Sequence, residues 1–434
     1  MAKKKKIEKP KEYTRRQLSH FQRQKRRQRI ILLSGIGIIA AVILIILIGW
    51  FIGEYRPMHR TVIKINETEF KASYYIELLK MVGAGSPGQD LDAITSTMIN
   101  NIIENELVRQ EAETLGIIVS DEEVKQALEE EGTPVNDVTI GLTRSQKLQT
   151  RLRDEHFSAQ VPVSDNQVNV MAMLVESESV AAEIRDKVVN GDNFTALAKQ
   201  YGQNYYSKNA PFGDFGWHPA EVLQSRFDTL IPIDYAFSAE AGDVSPPLSD
   251  NESYKQLGYW LINVLGISTE DDAEVQALYL SNQQEAFDIK ARLESGDNIS
   301  ALAEQYSQYT PSKENGGKLE PIARPTGNAT TISEVFDGYV FNPATEFGKW
   351  SDPVKDTDYW TQGGAWVVKV VDKDDNRELS TEDRTYLINN TYSDWVKQLP
   401  LKHATEIDIS GLTEEIRVWM VEEAKKALQG AAGG

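Results

Sequence analysis

The sequence predicts an α+β chain: one N-terminal transmembrane helix, a helical domain completed by C-terminal helices, and two tandem α+β domains. Three observations predict it. An uncharged apolar run fills 30–52, helical spacing dominates 60–160 and again 378–430, and a unit of about 100 residues is written twice between 163 and 374.

The first element, Ile30–Ile52, reads IILLSGIGIIAAVILIILIGWFI. At about 1.5 Å per residue it crosses a hydrocarbon core of roughly 30 Å. Trp50 and Phe51 stand where interfacial aromatics belong. The tail, 1–29, holds thirteen Lys/Arg against Glu8 and Glu12, a net +11; the chain totals −19, so the rest carries −30. Basic residues beside a span stay in the cytoplasm, which puts the tail inside and the acidic remainder outside. The run is longer than the apolar core of a cleaved signal, about 7–15 residues, and no A-x-A pattern follows it. A retained, single-pass anchor in the cell membrane is expected. The tail's charge then serves topology and anionic headgroups, and no nucleic-acid partner is expected.

Cysteine is absent, which excludes disulfides, thiol catalysis and thiolate metal sites. No G-x-S-x-G, H-E-x-x-H or P-loop occurs, and the histidines are scattered at His20, His59, His156, His218 and His403. Hydrolase and metalloenzyme chemistry have no support, and neither cofactor nor metal is expected.

After the span, Val62–Asn66 reads as a short strand. Ile94, Met98, Ile102, Ile103, Leu107 and Val108 then recur at helical spacing, and Gly116 supplies a stop. Ser120 with Glu123 three residues on marks another helix start, and a further helix is expected over Thr143–His156. Beyond the repeats, Ser380 and Asp383 open a helix to about Leu399. Another spans about Leu412–Leu428, with Ile416, Val418, Trp419, Val421 and Ala424 on one apolar face. That face needs cover, and the helical region 60–160 is the expected place.

The repeat is explicit. GDNFTALAKQYGQ (Gly191–Gln203) returns as GDNISALAEQYSQ (Gly296–Gln308), 105 residues later. Val170–Val175 aligns with Val275–Leu280 as first strand, and helices follow at Val180–Asn190 and Gln284–Ser295. GDFGW (Gly213–Trp217) answers GGKLEP (Gly316–Pro321), and apolar strands close the copies at Gly258–Gly266 and Gly364–Asp372. Two copies of so long a period indicate duplicated domains, here 163–268 and 270–374, rather than a solenoid.

Each copy resembles a parvulin-type (PpiC, rotamase) peptidyl-prolyl isomerase domain. The resemblance rests on F-x-x-L-A-x-x-Y as FTALAKQY and ISALAEQY, the glycine-rich turn, and Phe227 or Phe336 with Phe237 or Phe341. It also rests on a Gly followed by S-x-P, as GDVSPPL and GKWSDPV, and on the last strand. The leading region VIKINETEF…ELVRQEAETLGIIVSDEEV resembles the N-terminal domain of SurA/PrsA-type extracytoplasmic folding factors. The resemblance implies a SurA-N-like chaperone domain at 60–160, completed by 378–430. It also implies chaperone and prolyl isomerase work on unfolded or proline-containing exported polypeptides.

Isomerisation must lower a barrier of about 18–20 kcal/mol by holding the twisted amide better than either planar form. Parvulins are expected to do so with two histidines, a Cys or Asp, and a Ser/Thr around an apolar pocket. The corresponding positions are Ala172, Asn204, Ser249 and Trp260 in the first copy, and Ala277, Tyr309 and Trp366 in the second. The polar frame is missing in both. Phe215, Leu223, Phe227, Leu319 and Phe336 remain as apolar pocket material, expected either to bind substrate or to form core, and Trp260 and Trp366 as plugs. His218, the one histidine within a repeat, reads as a loop residue. Two functional readings stay open: a membrane-anchored folding factor with isomerase activity, or a catalytically inactive holdase or scaffold.

Overall fold

The structure is a computed structural model that describes residues 15–86, 88, 90–268, 271–326 and 329–432. The first part of the basic tail, 1–14, lies outside the described residues. The chain divides into two compact units, Met1–Phe157 with Thr391–Gly434, and Ser158–Asn390.

In the first unit, helix α1 (Arg15–Trp50) continues through a π-helical turn, Phe51–Tyr55, into α2 (Arg56–Met58). Over Leu32–Met58 this helix is long and apolar enough to cross a membrane, and none of it is buried. It therefore extends past Ile52, and Tyr55 joins the aromatic group by stacking on Phe51 (centroids 5.5 Å apart) and His59 (4.0 Å). The hairpin β1 (Thr61–Ile65) and β2 (Thr68–Lys71) turns at Asn66, whose φ of 52° suits the short polar side chain. Four helices follow: α3 (Ala72–Gly85), α4 (Thr95–Thr114), α5 (Asp121–Glu130) and α6 (Asp137–Arg151).

Ser120 Oγ accepts from Glu123 N at the start of α5. The next helix begins at Asp137, six residues before the expected Thr143. Asn136 Oδ1 accepts from Val138 N and Thr139 N while Thr139 Oγ1 accepts from Asn136 N, a reciprocal cap that the apolar periodicity does not reveal. The chain's far end completes the unit. Ile407–Asp408 pairs with β1, Ile65 opposite Ile407. Met420, Val421 and Ala424 of the Glu414–Ala432 helix are buried. That helix touches α3 so closely that a Cβ on Gly83 would meet Leu428 Cδ1 at 2.5 Å.

The second unit contains both repeats. The first supplies β3 (Ser164–Val175), α7 (Glu178–Val189), α8 (Phe194–Tyr201), α9 (Tyr205–Lys208), β4 (Asp214–His218), α10 (Ala220–Phe227), α11 (Ile231–Ser238), β5 (Leu248–Lys255) and β6 (Gly258–Ile267). The second supplies β7 (Asp272–Leu280), α12 (Gln283–Glu294), α13 (Ile299–Tyr306), α14 (Thr310–Glu314), β8 (Ile322–Ala323), α15 (Glu334–Val340), β9 (Val354–Asp356) and β10 (Thr361–Glu378). The duplicated turn works identically in each. Gly191 and Gly296 both take φ 99°, and Asn193 and Asn298 cap the following helix through their side-chain oxygens.

The strand pairing corrects the expected modules 163–268 and 270–374. The two antiparallel sheets are ordered β4-β3-β10-β5 and β8-β7-β6-β9. Each repeat's closing strand lies in the other repeat's sheet, with Val368 opposite Ala172 and Ile262 opposite Ala277. The second module is therefore the contiguous stretch from β6 to β9, and it interrupts the first. A physical reason is visible in the chain. Only four residues separate β6 from β7, so these antiparallel neighbours pair as a hairpin, which leaves the place beside β3 to β10. Where the chain crosses between modules, Lys255 is buried and its Nζ donates to Ser281 Oγ (2.8 Å) and to Gly363 O.

Candidate functional site

The two parvulin-like frames come first, because the sequence singles them out. In the first module Ala172 is buried on β3, and the indole beside it is Trp366 of β10, not Trp260. Trp366 meets the Phe227 ring edge-on at 5.3 Å, and Phe227 meets Phe215 at 4.5 Å. In the second module Ala277 shares its core with Trp260 of β6, whose ring lies 4.8 Å from Phe336, 5.1 Å from Tyr309 and 4.5 Å from Tyr279. The strand exchange thus crosses the expected pairing of each Trp with its pocket. Both indoles are buried, 0% and 1% exposed, and Phe215, Leu223, Phe227, Leu319 and Phe336 are buried around them.

A buried indole N–H requires an acceptor. Trp366 Nε1 donates to Asp250 Oδ2 (2.9 Å), and Trp260 Nε1 donates to Asp356 Oδ2 (2.8 Å). Asp250 also accepts from Glu252 N, Ser253 N and Ser253 Oγ. Burial alone would raise its pKa, yet the hydrogen bonds from Ser253 and Trp366 outweigh that and hold it below the ordinary carboxylate range. Neither aspartate lies in a motif that marks it locally. They stand 106 residues apart, as Trp260 and Trp366 do, and that shared spacing was the available signal.

The other expected frame positions do not assemble. Ser249 is exposed and donates to Glu178, because the side-chain alternation along β5 turns Asp250 inward and Ser249 out. Asn204 Oδ1 accepts from Ser207 Oγ and, at 3.5 Å, from Leu174 N. Tyr309 packs on Trp260 and Tyr359. His218 is not a loop residue. It ends β4, and its Nδ1 lies 2.9 Å from both oxygens of buried Asp383.

An open, largely apolar concavity lies in the first unit. It is a crevice of about 500 Å³ between β2, α3, α4 and α6, a size that suits a few side chains of a bound chain. One wall is Phe70 of β2 with Tyr74, Leu78 and Val82 of α3; Met98 and Ile102 of α4 form the floor; Ile140 and Leu142 of α6 form the other wall. Gly141 permits the narrow approach of α6, since a Cβ there would lie 2.7 Å from Tyr74 Oη. At one end sits buried Glu106, which accepts from Thr68 Oγ1 (2.6 Å), Arg109 Nε (2.8 Å) and Gln110 Nε2 (2.7 Å). Burial would raise its pKa, but these donors lower it overall, so the pair with Arg109 closes that end as a satisfied ionic plug. Burial, then Asp137 and Glu106, raises the Tyr74 phenol, which stays neutral. Arg144 on the rim pairs with Asp121 of α5. The crevice thus offers apolar walls beside one ionic end whose charges are paired.

Residues 24–161 match the model of the SurA-like N-terminal domain, and residues 267–372 match the PPIC-type PPIASE domain. The second match runs from Ile267, the last residue of β6, into β10, so it follows the repeat in sequence while its last strand belongs to the other module's sheet. The foldase protein PrsA of Caldanaerobacter subterraneus subsp. tengcongensis is 28% identical over 219 residues, 46% of this chain and 68% of that one. The chaperone SurA of Chromohalobacter salexigens is 23% identical over 354 residues, covering 72% and 74%. The crystal structure of the peptidylprolyl isomerase PrsA from Bacillus anthracis covers 76% of this chain and 97% of its own at 12% identity, with a TM-score of 0.27.

Proposed function

Because this chain belongs to the SurA/PrsA-like family of folding factors with parvulin-type domains, we propose that it holds unfolded polypeptides in the α3–α4–α6 crevice, outside the cell membrane. The observation that carries this is the contrast between its sites. The crevice is open and apolar, whereas both parvulin-like frames are occupied by Trp260 and Trp366. Apolar contacts of about 25 cal/mol per Å² suit a holdase, because they are indifferent to sequence and reversible in small patches.

In this reading α1 anchors the protein once, with the basic tail in the cytoplasm and both folded units outside. Clients are exported chains that still expose apolar segments. The proline-directed chemistry of the family is not the main activity, since a twisted amide would find an indole where its ring should lie.

Leu142 tests the assignment. It is 37% exposed on the rim, so Leu142→Lys leaves the fold intact while placing an ammonium in the apolar mouth. Full-length protein in detergent micelles should suppress aggregation of a chemically unfolded client, and the variant should lose most of that protection. Unchanged protection would remove the crevice from the account.

A further inference from the structure

The geometry points to Asn101 and Asn105 as the residues that read the client's backbone in the crevice, each amide taking one peptide group of an extended segment. This rests on the crevice being the client site and adds how it recognises what it holds.

Both asparagines line the crevice from α4, Asn101 exposed and Asn105 half-buried. Neither side chain has a hydrogen-bond partner among the described residues, although every other polar group at that end, Thr68, Glu106, Arg109 and Gln110, is engaged. An asparagine amide carries an acceptor and a donor side by side, the complement of the N–H and C=O of a single residue. Four residues apart, the two lie on one helix face with a rise of about 6 Å between them. An extended chain offers N–H and C=O on the same edge at every second residue, a repeat of roughly 6.6 Å. The mismatch is well under 1 Å and falls within the freedom of the terminal amide torsion.

The occupant is therefore an extended, apolar segment of unfolded polypeptide. Its side chains enter between Tyr74, Leu78, Met98 and Ile140, and its backbone faces α4. A folded helix has no free peptide groups to offer, and a residue without an N–H leaves one asparagine oxygen unmatched. The pair thus adds a conformational filter to a surface whose apolar walls select only for hydrophobicity.

The probe is a nine-residue, proline-free apolar peptide and its twin N-methylated through the central residues, titrated by fluorescence anisotropy against the full chain in micelles. Each amide is expected to add about three- to tenfold in affinity, so the parent should bind roughly tenfold or more tighter than the twin. Asn101→Ala with Asn105→Ala should weaken the parent by that factor and the twin by clearly less, because N-methylation removes the N–H donors and keeps the carbonyls. The variant folds, because neither side chain is bonded and alanine favours the helix.

Equal loss for both peptides, or none for either, would overturn the proposal. If both peptides bind wild type equally and both are lost on Leu142→Lys, the backbone readout fails while the crevice assignment stands. If neither peptide binds, both fail. Peptide binding that weakens as protein concentration rises would assign the crevice to a second copy and also overturn it.

Discussion

The exchanged closing strands predict a crosslink that no unexchanged arrangement can form. Met171 on β3 faces Lys369 on β10 across the first sheet, and the equivalent pair in the second sheet is Asn263 opposite Gln276. Opposed residues in an antiparallel pair have Cα atoms about 4.5–5.5 Å apart, within the roughly 4.4–6.8 Å that a disulfide spans. The chain has no cysteine, so Met171→Cys with Lys369→Cys introduces the only two thiols. Oxidation should give a monomeric species with altered mobility on a non-reducing gel, in high yield. The bond closes a loop of 199 residues, worth about 5 kcal/mol to the second unit on the chain-entropy estimate, so its urea midpoint should rise measurably. If each repeat closed its own sheet, Met171 would instead face Asn263. Efficient crosslinking of Met171→Cys with Asn263→Cys, and none to residue 369, would refute the exchange.

Trp366→Ala and Trp260→Ala should each cost the second unit about 3–5 kcal/mol in urea unfolding, since each removes a buried indole and one donor to a buried carboxylate; a cost below about 1 kcal/mol would mean that the indole is not packed as described. Lys255 makes stability rise with alkaline pH. Burial, opposed by Glu176 and Glu285, pushes its ammonium from the usual 10.5 down to about 8, so the folded state disfavours the charge. The associated stability is complete above about 10.5 and is lost as pH falls through about 8, a difference on the order of 3 kcal/mol. Subtracting a Lys255→Met stability profile from the wild-type profile should show that rise, and a flat difference would contradict it.

Local chemistry was legible and long-range partnership was not. Asn193 and Asn298 before FTALAKQY and ISALAEQY, Ser120 before Glu123, and the glycines at 191 and 296 specify caps and turns within a few residues. The structure uses them so. The Asn136–Thr139 cap is written as plainly, but it lies upstream of the apolar spacing that marks the helix body. The closing strands GYWLINVLG and GAWVVKVVD have the same pattern, so nothing in either says which sheet it enters; the short β6–β7 connection decides. Asp250 and Asp356 carry no local signal, and their role appears only when a buried indole needs an acceptor. The crevice was legible in part, since Met98 and Ile102 belonged to the helical stripe. Its other wall comes from α6, whose start is set by the Asn136 cap and not by apolar spacing.

In the proposed function the client is held by an apolar crevice, and the two tryptophans fill the parvulin-like cores. Refolding of a client limited by proline isomerisation separates the two most directly. With full-length protein present at equimolar ratio, aggregation of that client should fall while the rate of its slow, proline-limited phase stays at the uncatalysed value. Acceleration of the slow phase at catalytic protein concentration would mean that a peptide reaches Trp260 or Trp366, and would contradict the account.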